Sequence, residues 1–456
     1  MKNRLLVSVL LLFHFISPAQ KNAAKSIQPW PENPWYWQYK GEPVMLLGAS
    51  SDDNLFQWPA EKLVSHLDSM KSVGANYVRC TMSDRVFRGF EVYPYQKISD
   101  EKYDLNKWNK EYWKRFQRFL KETAKRGIIV QIEVWDRFDY SRENWPPHPY
   151  NPVNNINYTM QESGLDTVYP NHPGANEQPF FFTTPEQNDN EVVLKFQKKF
   201  VEKLLSYSFN YDNVLYCMDN ETSGEEAWGA FWAGFISKKA DEENKKVYLT
   251  EMWDSWDLKS EQHKRTFDHP ERYAFCDVSQ NNHQRDQAHW DNFQWVRNYI
   301  SSQPRPINTV KTYGADGGRH GTTNNAIDSW WRHVLGGAAS ARFHRPPAGL
   351  GLCELTMASV KAAREIETIV KFWKIEPDND LLLEREENEA YLAAKPGAAY
   401  VVFFPDEGEV GLNLEDYSST FKLKWMNVRT GEWAAGEEIE GGKVIHLKTP
   451  GNEEWV

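Results

Sequence analysis

The stretch Asn213-Val214-Leu215-Tyr216-Cys217-Met218-Asp219-Asn220-Glu221-Thr222-Ser223 begins as an apolar run rich in β-branched and aromatic residues. It ends in Asp-Asn-Glu and is followed by residues able to open a helix. A carboxylate delivered at the carboxyl end of a buried strand, just before a helix start, is where an α/β barrel keeps its chemistry. Other strand-like runs end in the same kind of residue: Asp52 and Asp53, Arg79, Glu133 and Asp136, Glu251, Asp277, Lys311, Arg342 and His344. In a barrel the loops after all strands open on one face, so these groups converge on one mouth. Several carboxylates and bases facing an aromatic-walled cleft are the equipment of general acid–base catalysis. Any one of them reads as well as a salt bridge tying down a strand end; the set together is harder to read that way.

The elements that must position these groups alternate. Strands are expected at Val44–Gly48, Tyr77–Met82, Ile128–Asp136, Asn213–Glu221, Val247–Trp253, Tyr273–Val278, Pro306–Gly314 and Ala338–His344. Between them lie helical patterns at Pro59–Val73, Asp104–Arg126, Glu191–Ser206 and Ala326–Leu335, and a last helix over Leu355–Trp373. Eight strands alternating with helices predict an α/β fold, a (β/α)8 TIM barrel over residues 28–375. About fifty residues, 137–190, break the alternation and are rich in Pro, Asn and aromatics. An insertion of that size in a barrel reads as a lid or binding wall. From residue 376 to 456 short alternating runs with Lys395-Pro396-Gly397, Pro405-Asp406-Glu407-Gly408 and Arg429-Thr430-Gly431 as turns predict a small all-β sandwich.

Composition narrows the function. Lys and Arg number 53 against 64 Asp and Glu, and the net charge of −11 argues against a nucleic-acid partner. The 20 Trp, 21 Tyr and 24 Phe make the chain unusually aromatic; many must be core, and a surplus at a cleft mouth would suit stacking on sugars or other flat apolar faces. Met1-Lys2-Asn3-Arg4, an apolar run to Ile16 and Ser17-Pro18-Ala19-Gln20 describe a signal peptide over residues 1–20, hence a secreted or periplasmic protein. No membrane span is expected, and no oligomeric state follows from the sequence. Cys80, Cys217, Cys276 and Cys353 lack metal-ligand spacing, and the first three sit in strand-like runs as small buried thiols. No metal or cofactor is called for: His283 and His289 are spaced like helix ligands but lack the accompanying Glu, and no phosphate loop, dinucleotide fingerprint or nucleophile elbow is present. His283 and His289 read instead as sugar contacts or loop-stabilising groups.

The chain resembles a clan-A-type glycoside hydrolase, and especially the apiosidase-like group that pairs the barrel with a C-terminal β-domain of the putative collagen-binding type. The residues that carry the resemblance are Lys40-Gly41-Glu42-Pro43-Val44-Met45-Leu46-Leu47-Gly48, Ala75-Asn76-Tyr77-Val78-Arg79, Asn220-Glu221 and, near the C-terminus, Trp425-Met426-Asn427-Val428-Arg429-Thr430-Gly431. The resemblance implies that Glu221 is the general acid/base, that Asn220 contacts the 2-hydroxyl of the sugar, and that Arg79 supports the catalytic carboxylates. A glycosidic oxygen leaves poorly unless it is protonated, which is why such a site needs a carboxylic acid of raised pKa.

At strand 7 the chain departs from that pattern. Where the second catalytic glutamate is expected it reads Val310-Lys311-Thr312-Tyr313-Gly314, with Lys311 or Thr312 at the position depending on register. Glu251 and Asp277 are the foremost replacements, with Asp316 behind. A site using one acid with an electrostatic partner, or one that binds sugar without cleaving it, stays open.

The expected substrate is an oligosaccharide or a plant or algal polysaccharide fragment. Asp53, Asp136, His283, Tyr313 and His344 join Arg79 and Asn220 as candidate contacts, and Lys311 or Arg342 would grip a carboxylate or sulfate on an anionic glycan. The same bases could instead neutralise the acidic strand ends. The rival readings are a non-catalytic glycan-binding protein on a decayed barrel and a polysaccharide lyase.

Overall fold

The computed structural model describes residues 25–85, 88–99, 102–315 and 317–456. The leader expected over residues 1–20, and Asp316, lie outside the described residues.

Eight strands run in parallel around a barrel: β1 (Leu46–Ala49), β2 (Tyr77–Thr81), β3 (Ile129–Asp136), β4 (Val214–Asn220), β5 (Leu249–Thr250), β6 (Cys276–Asp277), β7 (Ile307–Asn308) and β8 (Ser340–Phe343). A helix follows each: α1 (Ala60–Ser72), α2 (Lys110–Arg126), α3 (Glu191–Ser208), α4 (Glu226–Glu242), α5 (Glu261–Phe267), α6 (Asp286–Tyr299), α7 (Thr323–Leu335) and α8 (Glu354–Ile369). Parallel ladders join β2–β3–β4–β5, β6–β7 and β8–β1. A bridge from Thr312 to Phe343 links β7 to β8, and the Asn76 N–H donates to Leu47 O to link β1 to β2. Gly48 is required at that seam, because a Cβ there would lie 2.1 Å from Tyr77 O.

Strands β5, β6 and β7 are shorter than the apolar runs suggested. The chain beyond them leaves the ladder early and is held by single bridges such as Thr222–Trp253. The helix expected from Asp104 starts only at Lys110. Tyr103–Trp108 is instead a strand paired antiparallel with Tyr95–Lys97, and the Asn109 side chain accepts from the Glu111 N–H to cap α2. Gly127, at φ 69°, ends that helix in the left-handed conformation that glycine adopts without strain.

The barrel is filled in layers. At the bottom Trp37, carried on a hairpin of Trp37–Tyr39 and Glu42–Val44, packs among Leu46, Ile129, Tyr248 and Phe275. Above it lies a polar layer. Trp37 Nε1 donates to Asn308 Oδ1 (2.9 Å), Asn308 Nδ2 to Tyr77 OH (3.0 Å), Tyr77 OH to Gln131, and Gln131 Nε2 to Asp277 Oδ2 (2.8 Å). The layer above that is the mouth.

Residues 137–190 fold into short helical turns around an aromatic cluster in which Tyr140 stacks on Phe180 (4.2 Å) and Phe181 meets Trp228 of α4. The C-terminal segment is built of antiparallel strands around Leu392, Val402, Phe404, Val410, Leu412, Trp425 and Leu447. It lies against the barrel through Trp331 of α7, stacked on Phe403 (5.8 Å), Trp290 on Tyr391 (4.8 Å), and Arg429, whose Nη2 donates to Asn324 Oδ1 (2.6 Å). Among the described residues no helix is long and apolar enough to cross a membrane.

Candidate active site

Glu221 is the first residue beyond β4 and sits at φ 52°, a left-handed conformation that side chains seldom adopt. Such positions persist where the surroundings over-determine them, and they cluster at functional sites. The next residue is clamped, with Thr222 N–H donating to Met252 O (2.8 Å). This turn directs the Glu221 carboxylate into the mouth, where its side chain keeps 15% exposure.

Lys311 settles the register at strand 7. Its Nζ pairs with Glu221 Oε1 and donates to Asn220 Oδ1 (2.8 Å), while Thr312 turns its backbone to β8. The position that the resemblance gives to a second carboxylate therefore holds an ammonium. Burial by itself would raise the Glu221 carboxyl. The Lys311 charge, with Arg79 and a hydrogen bond from Gln280, outweighs burial and lowers it to about 2. Glu221 is a carboxylate at neutral pH.

Arg79 supports this pair from below. Its Nη2 donates to Asn220 Oδ1 (2.7 Å), its Nε to Glu133 Oε2 (2.9 Å), and its Nη1 lies 3.3 Å from Asp53 Oδ2. Glu133 is fully buried and also accepts from Thr81 Oγ1 (2.6 Å). Asp53 is the hub of a second cluster, with Arg345 Nε at 2.9 Å, Arg342 Nη2 at 3.1 Å and His344 Nδ1 at 3.8 Å. Burial pushes Asp53 up, but Arg79 and the other bases hold it well below the usual carboxylate range.

Aromatic groups line the rim. Tyr313 OH lies 3.4 Å from Glu221 Oε1, and its ring meets those of His283 (5.6 Å), His320 (5.0 Å) and His344 (5.0 Å). His283 stacks on Trp256 at 4.1 Å, and Trp256 is 59% exposed, a flat apolar face at the entrance. Burial, opposed by the Glu221 charge, lowers His283 to about 4, so it is neutral at pH 7.

The structure thus brings Asp53, Arg79, Asn220, Glu221, His283, Lys311, Tyr313 and His344 together. Four other expected residues serve elsewhere. Glu251 points outward from the barrel: its Oε1 accepts the Asp219 and Met252 N–H groups (2.9 and 3.0 Å), and Oε2 lies under α4, where a Cβ on Gly229 would be 2.5 Å away. Asp277 belongs to the polar layer beneath the mouth, its oxygens taken by Gln131 Nε2 and Ser279 N–H (2.8 and 2.9 Å). Asp136 is paired with Arg85 and accepts from Phe138 N–H (3.1 Å). Arg342 is wholly buried, its guanidinium spent on Ser50, Val310 O and Asp53. It therefore cannot reach a charged group on a substrate. Lys311 spends two of its three N–H donors on Asn220 and Glu221.

One group escaped the sequence reading. Asp254 follows β5, and its N–H donates to Thr222 O (2.9 Å), which ties it to the residue after Glu221. The loop after β3 closes over it, since a Cβ on Gly174 would stand 3.6 Å from Asp254 Oδ2. Among the described residues nothing donates to its carboxyl oxygens. Burial first, and then the negative charge of Glu221, push it up to about 7 against the pull of Lys311 and Arg137. The mouth therefore holds two carboxyl groups driven apart, one ionised and one able to keep a proton at neutral pH. Environments that separate two carboxyls in this way mark acid and base roles. No group of three or more His, Cys, Asp or Glu placed to hold a metal ion occurs among the described residues.

Comparisons with known proteins agree with the architecture. Residues 376–456 match the family model described as a putative collagen-binding domain of a collagenase. A glycoside hydrolase family 5 structure from Bacteroides vulgatus is 13% identical with a TM-score of 0.62, over 95% of this chain and 93% of its own. A structure described as a glycoside hydrolase is 12% identical with a TM-score of 0.63, over 95% and 96%. A putative glycoside hydrolase from Bacteroides vulgatus is 11% identical with a TM-score of 0.58, over 95% and 82%. At these identities the likeness establishes the fold, a (β/α)8 barrel followed by a β-sandwich. A comparison with curated proteins gives no match.

Proposed function

We propose that the protein is a glycoside hydrolase in which Asp254 donates the proton and Glu221 supplies the carboxylate. The observation that carries this reading is geometric: Lys311 pairs with the Glu221 carboxylate, and the Asp254 backbone is bonded to Thr222, the residue after Glu221, with no donor to its carboxyl oxygens among the described residues. The roles differ from those implied by the resemblance, because Glu221 beside Lys311 has no proton to give at neutral pH. As the bond from the anomeric carbon to the glycosidic oxygen breaks, the Asp254 proton passes to that oxygen, which leaves as a hydroxyl. Negative charge on Glu221 stabilises the positive charge growing on the sugar ring, and water completes the cleavage. The net change consumes one water per bond and restores both carboxyls.

The barrel neighbours named as glycoside hydrolases support the reaction class, and the aromatic rim of Trp256, His283 and Tyr313 supports a sugar-ring substrate. The substrate in this reading is an oligosaccharide released from a plant or algal polysaccharide, met outside the cytoplasm in keeping with the leader expected at residues 1–20. The wall made by residues 137–190 favours attack at a chain end.

Incubation with a panel of neutral and charged oligosaccharides tests the proposal. New reducing ends that disappear in Glu221→Gln and in Asp254→Asn support it. A product absorbing in the near ultraviolet means β-elimination, although Lys311, held between Asn220 and Glu221, is poorly placed as a free base. Binding without turnover across the panel means a glycan-binding barrel.

A further inference from the structure

The chain carries a net charge of −11, yet three arginines stand at the rim of the mouth, beside histidines whose pKa burial lowers. Three loops contribute: Arg142 and His172 after β3, His283 and Arg285 after β6, and Arg319 and His320 after β7. Contacts fix their place. Arg319 Nε donates to His320 Nε2 (3.3 Å), the His320 ring stands edge-on to Tyr313 at 5.0 Å, and Tyr313 OH reaches Glu221. Arg285 is pressed against the same loop, since a Cβ on Gly321 would lie 2.9 Å from its Nε and Nη2. Its Nη1 is used by Asn282 O and Gln284 O.

The arginines in this rim lack what the deeper ones have. Arg79 and Arg342 are matched by Asp53 and, for Arg79, Glu133. No carboxylate pairs with Arg142, Arg285 or Arg319 among the described residues. The Arg319 side chain is exposed, and among the described residues its one hydrogen-bond partner is a ring nitrogen and neither terminal nitrogen is engaged. Burial first, and then the charges of Arg142 and Arg319, lower His172 on the opposite loop, so both arginines stand within electrostatic reach of that ring. A guanidinium with two open nitrogens matches the paired oxygens of a carboxylate or a sulfate ester.

We propose that this rim binds an anionic substituent on the sugar, with Arg319 as the principal contact and Arg142, Arg285 and His320 around it. The inference rests on the glycan reading of the mouth and names the substrate class. It moves the grip expected of Lys311 or Arg342 to a loop that those two residues do not reach. The chemistry is shared by uronates and sulfated sugars, and the experiment separates them.

Binding is measured by calorimetry on the Glu221→Gln protein, so the readout does not depend on turnover. The probes are glucuronate against glucose and galactose 6-sulfate against galactose. At least one anionic probe should bind about tenfold tighter than its neutral partner, and the preference should fall about tenfold in Arg319→Ala and in Arg319→Gln. A rise in salt should reduce the preference. The pair that shows it identifies carboxylate or sulfate as the recognised group. Equal affinity within both pairs, or a preference unchanged in both Arg319 variants, overturns the proposal. Failure of the hydrolase reading would appear separately, as binding of these probes without cleavage of any oligosaccharide by the wild-type protein.

Discussion

Lys311 from the end of β7 and Glu221 from the end of β4 form an ion pair across the barrel mouth, and Asn220 Oδ1 accepts from the same ammonium at 2.8 Å. A cation thus stands where a second carboxylate would otherwise raise the pKa of Glu221 by repulsion. The pairing fixes the protonation state of Glu221 and hands the proton-donor role to another group.

Replacing Lys311 with Met should release that hold. Burial would then act unopposed by the ammonium, and the Glu221 carboxyl should climb from about 2 to its ordinary value or above. The ionised form is the working one, so activity is lost as pH falls through this pKa. The acid limb of kcat/KM should move upward in Lys311→Met; a limb that stays in place would show that the pair does not set it.

Asp254 gives the opposite limb. A donor must hold its proton, so activity should decline as pH rises through about 7. In Asp254→Asn the rate should fall by about 10²–10⁴-fold and the limb near 7 should vanish. A small-molecule acid that restores part of the rate would support the assignment, whereas an unchanged limb would remove it.

Glu251 should prove dispensable for chemistry. Glu251→Gln keeps an oxygen for the Asp219 and Met252 N–H groups, and kcat should stay within a few-fold of wild type, by analogy with other substitutions that keep a buried acceptor. The packing above it is less forgiving. Gly229→Ala puts a methyl 2.5 Å from Glu251 Oε2 and should destabilise the fold by about 1–3 kcal/mol in denaturant titration.

Buried carboxyls raised on folding should each make a contribution to stability that fades as pH rises. Burial leads the causes that hold Asp139 and Asp219 up to about 7 and Asp328 up to about 8. A carboxyl raised on folding binds its proton better in the folded state, so stability is lost as pH rises from its unfolded pKa through the folded one. Glu221 and Asp53, lowered on folding, act oppositely and lose their contribution as pH falls below the ordinary carboxylate range. The melting-temperature difference between Asp328→Asn and the wild type should therefore move in the variant's favour as pH rises from about 5.5 to about 8.5, read by scanning calorimetry. A difference that stays constant over that interval would contradict the assignment.

Trp256 is a binding surface in this reading. Trp256→Ala should raise KM by about two- to tenfold with little change in kcat, the size expected from losing one aromatic face. An equal loss in kcat would give it a part in the chemistry.

The barrel and the placing of Glu221 were legible because long apolar runs alternate with amphipathic helices, and a strand end is marked by where the apolar run stops. The face that a strand-end residue occupies was harder to read. Met252 lies in the barrel interior, so its neighbour Glu251 faces out, and the two-residue period of a strand carried that information. Asp277 was correctly placed inside but one layer too high, a distinction that rests on the Gln131 contact. Tyr103–Trp108 joined the helix pattern because its aromatics continue that of α2, while the stop at Asn109 was the available signal. Asp254 directly follows the expected strand Val247–Trp253, but nothing in the sequence set it above Glu251 on the same strand. Its position depends on a hydrogen bond to Thr222 O, between segments thirty-two residues apart, that only the folded chain creates.

Every residue of α7 from Ala326 to Leu335 is buried, because the barrel covers one side of the helix and the C-terminal strands cover the other through Trp331 and Phe403. The last segment is therefore a piece of barrel wall rather than a passenger. A protein ended at residue 375 would open a tryptophan-rich flank to water and gather on itself, and the two parts of the intact chain should melt as one cooperative block.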